Sequence, residues 1–331
     1  MTAEPVRRAI AGLAVVALAL VATGCSAGSP SATVSTGTTS SAPAPPASSS
    51  PPASSAPASS APPSTPSPTA SATSPGPPGD GSVHLYTVDG RSTALYCFGT
   101  GSPTVVVIPG LTAPGSLWRR VASASAEQSG ARVCSYDRPG LGTSEARRPS
   151  ATPTIGRVAT ELGVLLRKAG LEPPFVVVGH SYGGMVARLF VSQQRSDVRG
   201  VVMVDASTVG ELRSPYFADV HWWEGGNSVD VPASIRELDA SGTFGSTPLV
   251  VLTQDATGTY RDQWYPLQDS LAALSTDSVH VVVKGAGHLI QDDNPPIVEA
   301  AIADVVTAAR TGAPLPDCAT TFAALGGRCI G

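Results

Sequence analysis

The chain has 331 residues, with 25 acidic and 21 basic side chains, a formal net charge of −4 and five cysteines. Lysine occurs only at Lys168 and Lys284, so no basic face or aromatic–basic stretch is on offer to nucleic acid. No apolar run approaches the roughly 20 residues that a membrane-spanning helix needs, and no internal repeat is visible.

Met1 to Arg8 carries two arginines, and Ala9 to Ala22 is apolar throughout. A basic start followed by a short apolar stretch is the pattern of a signal peptide, here spanning residues 1–24. Ala22-Thr23-Gly24-Cys25 resembles the lipobox of bacterial lipoproteins. That resemblance implies a diacylated Cys25, a membrane anchor, and a location on the extracytoplasmic side of the cell membrane; plain secretion is the alternative. Residues 25–80 are Ser, Pro, Ala, Thr and Gly almost throughout, with no charge between Arg8 and Asp80. Such a tract lacks the apolar side chains that offset ordering entropy and is expected to be a disordered linker.

Residues 81–331 are enough for one substantial core. Val83–Val88 and Thr93–Phe98 flank Asp89-Gly90-Arg91 and predict a hairpin. Six short β-branched runs follow: Thr104–Ile108, Ala131–Tyr136, Phe175–Val178, Gly200–Val204, Leu249–Leu252 and Val279–Val283. Most lack polar alternation, as strands buried on both faces do. Helical patterns lie between them at Ser116–Ser129, Thr154–Ala169, Tyr182–Gln194, Arg261–Leu274 and Pro296–Ala309. The alternation predicts an α/β architecture: an eight-stranded, mostly parallel sheet with helices on both faces. The rhythm breaks between the sixth and seventh strands, where His221-Trp222-Trp223 stands in a long interval without a clear strand. That interval, about 206–247, is expected to be a small cap; a helical excursion whose tryptophans fill core is the competing reading.

Gly179-His180-Ser181-Tyr182-Gly183 fits G-x-S-x-G and sits between a buried-type strand and a helix. A helix-capping serine would need no bracketing glycines; a nucleophile at a tight turn does. A hydroxyl needs a base, and His288 in Gly285-Ala286-Gly287-His288 follows the last strand at the carboxyl end of the sheet. His84 and His280 fall within strands, and His180 is inside the turn itself. Backbone donors for a developing oxyanion are expected from Tyr182, directly after the serine, and from Leu111 in Pro109-Gly110-Leu111-Thr112. Four cysteines besides Cys25 predict two disulfides with three open connectivities. None lies in a metal-ligand spacing, so neither a metal nor a cofactor is expected.

"VVVIPGL", "YDRPGLGTSE", "VVGHSYGGMVARL", "VVMVDAS" and "VVVKGAGHLIQDDNP" occur in an order that resembles the α/β-hydrolase superfamily, in particular its serine hydrolases of the esterase and haloperoxidase-like group. The resemblance spans nearly all of residues 81–331 and implies the α/β-hydrolase fold, with a Ser181–His288 pair completed by an acid. In most relatives that acid follows the seventh strand, where the usual register falls on Thr257 and leaves Asp255 two residues early. A minority carry it at the end of the sixth, where Asp205 stands; Asp205 is the preferred reading, because a carboxylate at the mouth of a buried strand needs a partner that His288 would supply. Pro109 replaces the family's common histidine, leaving open how the oxyanion loop is braced. Tyr136–Gly142 is read as a structural, glycine-shaped loop. The fold would make Cys97 and Cys134 neighbours and leave Cys318 to pair with Cys329. The implied activity is hydrolysis of a small acyl ester or thioester by a carboxylic ester hydrolase-like enzyme. Amide cleavage, perhydrolysis and a non-enzymatic binding module are the other readings.

Overall fold

A computed structural model describes residues 78–330. The expected signal peptide, Cys25 and nearly all of the linker lie outside the described residues. The strands are β1 (Asp80–Val88), β2 (Arg91–Phe98), β3 (Thr104–Ile108), β4 (Arg132–Tyr136), β5 (Phe175–His180), β6 (Val198–Val204), β7 (Trp223–Glu224), β8 (Asn227–Ser228), β9 (Leu249–Gln254), β10 (Ser278–Val283) and β11 (Gly327–Ile330). The helices are α1 (Arg119–Ser129), α2 (Ile155–Lys168), α3 (Tyr182–Gln193), α4 (Val209–Arg213), α5 (Val231–Ala240), α6 (Gly258–Ala272), α7 (Ile290–Asp293), α8 (Pro295–Thr311) and α9 (Cys318–Phe322).

Nine strands, not eight, form the main sheet, in the order β1-β2-β4-β3-β5-β6-β9-β10-β11. The six from β4 to β10 in that order run parallel, and β1, β2 and β11 are antiparallel to their neighbours. The unexpected strand, β11, pairs with β10 at the sheet edge. Its sequence, GRCI, is only half-buried and has no apolar run, so periodicity gives no sign of it. Cys329 of β11 is joined to Cys318 of α9, and Cys97 to Cys134, which face each other in the β2–β4 register.

Alternation along each strand divides the core. Val106, Ile108 and Val177 pack with Ile155, Leu162, Met185 and Phe190 from α2 and α3. Their neighbours Val105, Val107, Val176 and Val178 face Val121, Ala122, Ile302 and Val305 from α1 and α8. All the strand residues named are fully buried, each worth roughly 1.5–3 kcal/mol of hydrophobic transfer. This explains the unbroken β-branched runs: both faces are covered, so no position is left for a polar side chain.

The chain leaves β3 for β4 on one side and returns to β5 on the other. The crevice at the carboxyl ends of β3 and β5 is therefore a topological switch point, where α/β sheets bind ligands. Between β6 and β9 lies the cap region: α4, a turn of 3₁₀ helix at Pro215–Phe217, the β7–β8 hairpin and α5. The hairpin was not apparent in the sequence because each strand is two residues long. Trp222 packs against the core and Trp223 is exposed, so the pair does not act as a unit.

Candidate active site

β5 is buried along its whole length and ends in a turn whose glycines are obligatory. A Cβ on Gly179 would lie 2.7 Å from Gly184 Cα, and one on Gly183 only 2.1 Å from the Ile108 carbonyl oxygen. Ser181 sits between them at φ 51° and ψ −127°, a backbone region that L residues rarely adopt. That strain marks a side chain held outward at the start of α3, and Ser181 is only half-buried.

The loop after β3 closes on the same point. A Cβ on Gly110 would meet His180 Nδ1 at 2.7 Å and Ser181 Cβ at 3.2 Å, so this loop lies directly against the serine. Among the described residues the Leu111 N–H has no protein acceptor, and Tyr182 is the first residue of α3. Both expected oxyanion donors therefore flank Ser181.

Asp205, directly after β6, has no solvent exposure and a positive φ of 41°. Its Oδ1 accepts from the Gln254 N–H (3.0 Å) and from Trp264 Nε1 (2.8 Å). Its Oδ2 accepts from Gln254 Nε2 (2.6 Å) and from His288 Nδ1 (2.6 Å). Asp255, the other candidate, is exposed and accepts from the Gly285 N–H at 3.0 Å, anchoring the base of the histidine loop rather than the imidazole. Burial alone would push the His288 imidazole down, but the bond to Asp205 and the charges of Asp205 and Glu211 outweigh it and hold the ring above its ordinary value. With Nδ1–H donated to Asp205, Nε2 keeps its lone pair for a hydroxyl.

His180 is part of the same assembly, a role its place inside the elbow concealed. Its Nε2 lies 3.0 Å from the His288 carbonyl oxygen, which can only accept, so the proton is on Nε2. Burial, then the nearby His288, pushes its pKa down to about 3 and keeps it neutral. The two rings stand 4.9 Å apart.

Arg138 answers how a loop with Pro109 is braced. The guanidinium is fully buried and donates to the Pro109 carbonyl (2.7 Å) and the Gly110 carbonyl (2.5 Å). It also forms a two-pronged pair with Glu224 of β7, at 2.8 and 2.7 Å. Glu224 Oε1 accepts in turn from the Thr112 N–H at 2.9 Å, where Thr112 takes a positive φ of 59°. Residues 109–112 are thus gripped on both sides of Leu111. The Tyr136–Gly142 loop is more than a spacer, since it supplies this clamp. No sequence signal identified it, because Arg138 and Glu224 are 86 residues apart.

The comparisons with known proteins fit this geometry. The family model for the alpha/beta hydrolase fold matches residues 103–233. YqjL of Bacillus subtilis is 29% identical over 244 residues, covering 70% of this chain and 94% of YqjL. Lipase LipV of Mycobacterium tuberculosis is 35% identical over 160 residues, covering 46% of this chain and 56% of LipV. The structure of a thermophilic esterase from Thermogutta terrifontis matches with a TM-score of 0.53 and 21% identity, over 70% of this chain and all (100%) of that one. The chain has the alpha/beta hydrolase fold.

Replacing Glu224 by Gln removes one charge from the pair while keeping its shape. Breaking a buried pair strands the other charge, here Arg138, and loosens residues 109–112. The Glu224→Gln variant is expected to lose about 10²-fold in kcat, the scale of one oxyanion donor, with KM changed by less than about threefold. Steady-state kinetics on an activated ester checks this; a larger effect on KM than on kcat would place Glu224 in substrate binding instead.

Proposed function

We propose that this chain is an exported, membrane-anchored serine hydrolase that cleaves a carboxylic ester or thioester through Ser181, His288 and Asp205. The observation that carries the reading is the 2.6 Å contact between the fully buried Asp205 carboxylate and His288 Nδ1, beside a serine in a strained elbow. In this mechanism Ser181 Oγ attacks the carbonyl carbon while His288 Nε2 takes its proton. The oxyanion of the tetrahedral intermediate is held by the Leu111 and Tyr182 N–H groups. Collapse expels the alkoxide or thiolate, which takes the proton from His288. Water, activated by the same imidazole, then releases the acid and restores Ser181. Asp205 stays ionised and stabilises the imidazolium formed at each step.

Anchoring through Cys25 follows from the lipobox-like Ala22-Thr23-Gly24-Cys25. No helix among the described residues is long and apolar enough to cross a membrane.

The test of the reaction is covalent labelling with a fluorophosphonate. Ser181→Ala should lose the label while keeping its melting temperature. A wild-type protein that takes no label and turns over no ester would instead favour a binding module.

The acid is tested through the pH profile. His288 acts only when neutral, so kcat/KM should rise with pH through a midpoint above the ordinary histidine value of 6.5. Asp205→Asn should cut kcat by about 10³ to 10⁴-fold, as loss of the charge opposite the imidazolium does. It should also move the midpoint down, since burial is then opposed only by the charge of Glu211. Asp255→Asn should cost less than about tenfold, acting only through screened charge. A crippled Asp255→Asn would reverse the assignment.

For the anchor, an alkyne fatty acid fed to producing cells should tag the full-length protein, and Cys25→Ser should remove the tag. A fully soluble, untagged wild type would refute anchoring.

A further inference from the structure

Glu211 is the one carboxyl at the site that the reaction above leaves without a task. Thr208-Val209-Gly210-Glu211 reads as a capping box, and Thr208 Oγ1 does accept from the Glu211 N–H at 3.3 Å. Capping explains one end of this side chain and not its burial. Boxes of this kind normally sit at a solvated helix start, whereas Glu211 is only 7% exposed. Its Oε2 is buried with no hydrogen-bond partner, and no cation pairs with it among the described residues. Its surroundings are those of the reaction centre. The Ser207 side chain lies against the carboxyl, and the Ser207 N–H donates to the Ser181 carbonyl at 2.9 Å. His288, Asp205 and Tyr260 are within electrostatic reach. Tyr260 belongs to an aromatic cluster with Tyr216, Phe217 and Trp264.

Asp205 and Glu211 therefore make a contrast. The first has four donors; the second has an oxygen in a dry position with none. An unmet acceptor of this kind is destabilising unless a ligand meets it. Burial pushes the Glu211 carboxyl up to about 7, so near neutrality it is available both as an acid and as a carboxylate.

We propose that the buried Glu211 carboxyl is a recognition subsite for a hydrogen-bond donor on the substrate, a hydroxyl or a protonated amine carried a few bonds from the scissile carbonyl. This rests on the proposed ester hydrolysis and narrows its substrate class. An ester lacking the donor leaves Oε2 unmet and gains nothing from this contact. A site built around a buried polar group rejects the analogue that lacks its partner.

Two matched series test it. On the alcohol side these are propyl, 2-hydroxyethyl and 2-(dimethylamino)ethyl butanoate. On the acyl side they are p-nitrophenyl butanoate and p-nitrophenyl 3-hydroxybutanoate. The wild type should prefer a donor-bearing member in at least one series by about tenfold or more in kcat/KM. Glu211→Leu should erase the preference, bringing the ratio of kcat/KM between donor-bearing and plain esters to about one. Glu211→Gln, which keeps the capping group, should retain selectivity for a hydroxyl and lose it for the amine. The hydroxyl and amine arms then say which donor the site takes. Equal kcat/KM across both series in the wild type overturns the proposal, as does a preference that survives in Glu211→Leu. Fluorophosphonate labelling of Ser181 is run on every variant. Loss of selectivity with labelling intact concerns Glu211 alone, whereas a wild type that neither labels nor turns over any ester removes the hydrolase reading as well.

Discussion

The site depends on one fully buried carboxylate. Asp205 gathers a backbone N–H and a side chain from the end of β9, an indole from α6 and the imidazole of the loop after β10. An isolated charge in this position would be prohibitively costly, and each charged hydrogen bond returns about 1.5–3 kcal/mol. The four contacts fix where β9, α6 and the histidine loop stand relative to β6. They also set which nitrogen of His288 carries the proton, and so which one keeps its lone pair. The positive φ at Asp205 and the strained elbow at Ser181 lie at the ends of neighbouring strands, β6 and β5. Backbone strain is concentrated at this serine and this carboxylate, and the buried sheet around them supplies the stability to hold it.

Two carboxyl groups close to one imidazole have opposite environments. Asp205 is saturated with donors, and Glu211 is buried with an oxygen left over. Residue type does not separate them; the donors that the fold brings to each do. A comparable division holds for the histidines. His288 is held above its usual range by carboxylates, whereas His180 is forced neutral by burial and serves as a strut beneath the histidine loop.

The central strands were legible because burial on both faces removes polar residues, leaving runs such as Thr104–Ile108 and Phe175–Val178. The elbow was legible because only glycine fits on either side of Ser181. The choice between Asp205 and Asp255 was harder, since both end a strand facing the same crevice. It turns on donors from Gln254 and Trp264, which lie 49 and 59 residues from Asp205. In the sequence Arg138 stands only as one residue of a glycine-shaped structural loop; its burial depends on a distant glutamate in a two-residue strand. β11 was missed for a related reason. Its pairing with β10 comes from an edge left open and a nearby disulfide, not from its own composition.

The turn of the β7–β8 hairpin meets the loop after β4 backbone to backbone. A Cβ on Gly225 would lie 2.1 Å from the Pro139 carbonyl oxygen, and one on Gly140 would lie 2.6 Å from Gly225 Cα. No side chain fits at that seam, which divides the cap into two kinds of territory. The stretch from Ser214 to Val220 is held by side chains instead, Tyr216 and Phe217 against Tyr260 and Trp264, and a side-chain contact can be exchanged for another where a backbone seam cannot. The hairpin cannot be exchanged in the same way. A cap transplanted from another hydrolase would have to bring its own glycine pair and acidic residue, or leave the loop beside the serine unsupported.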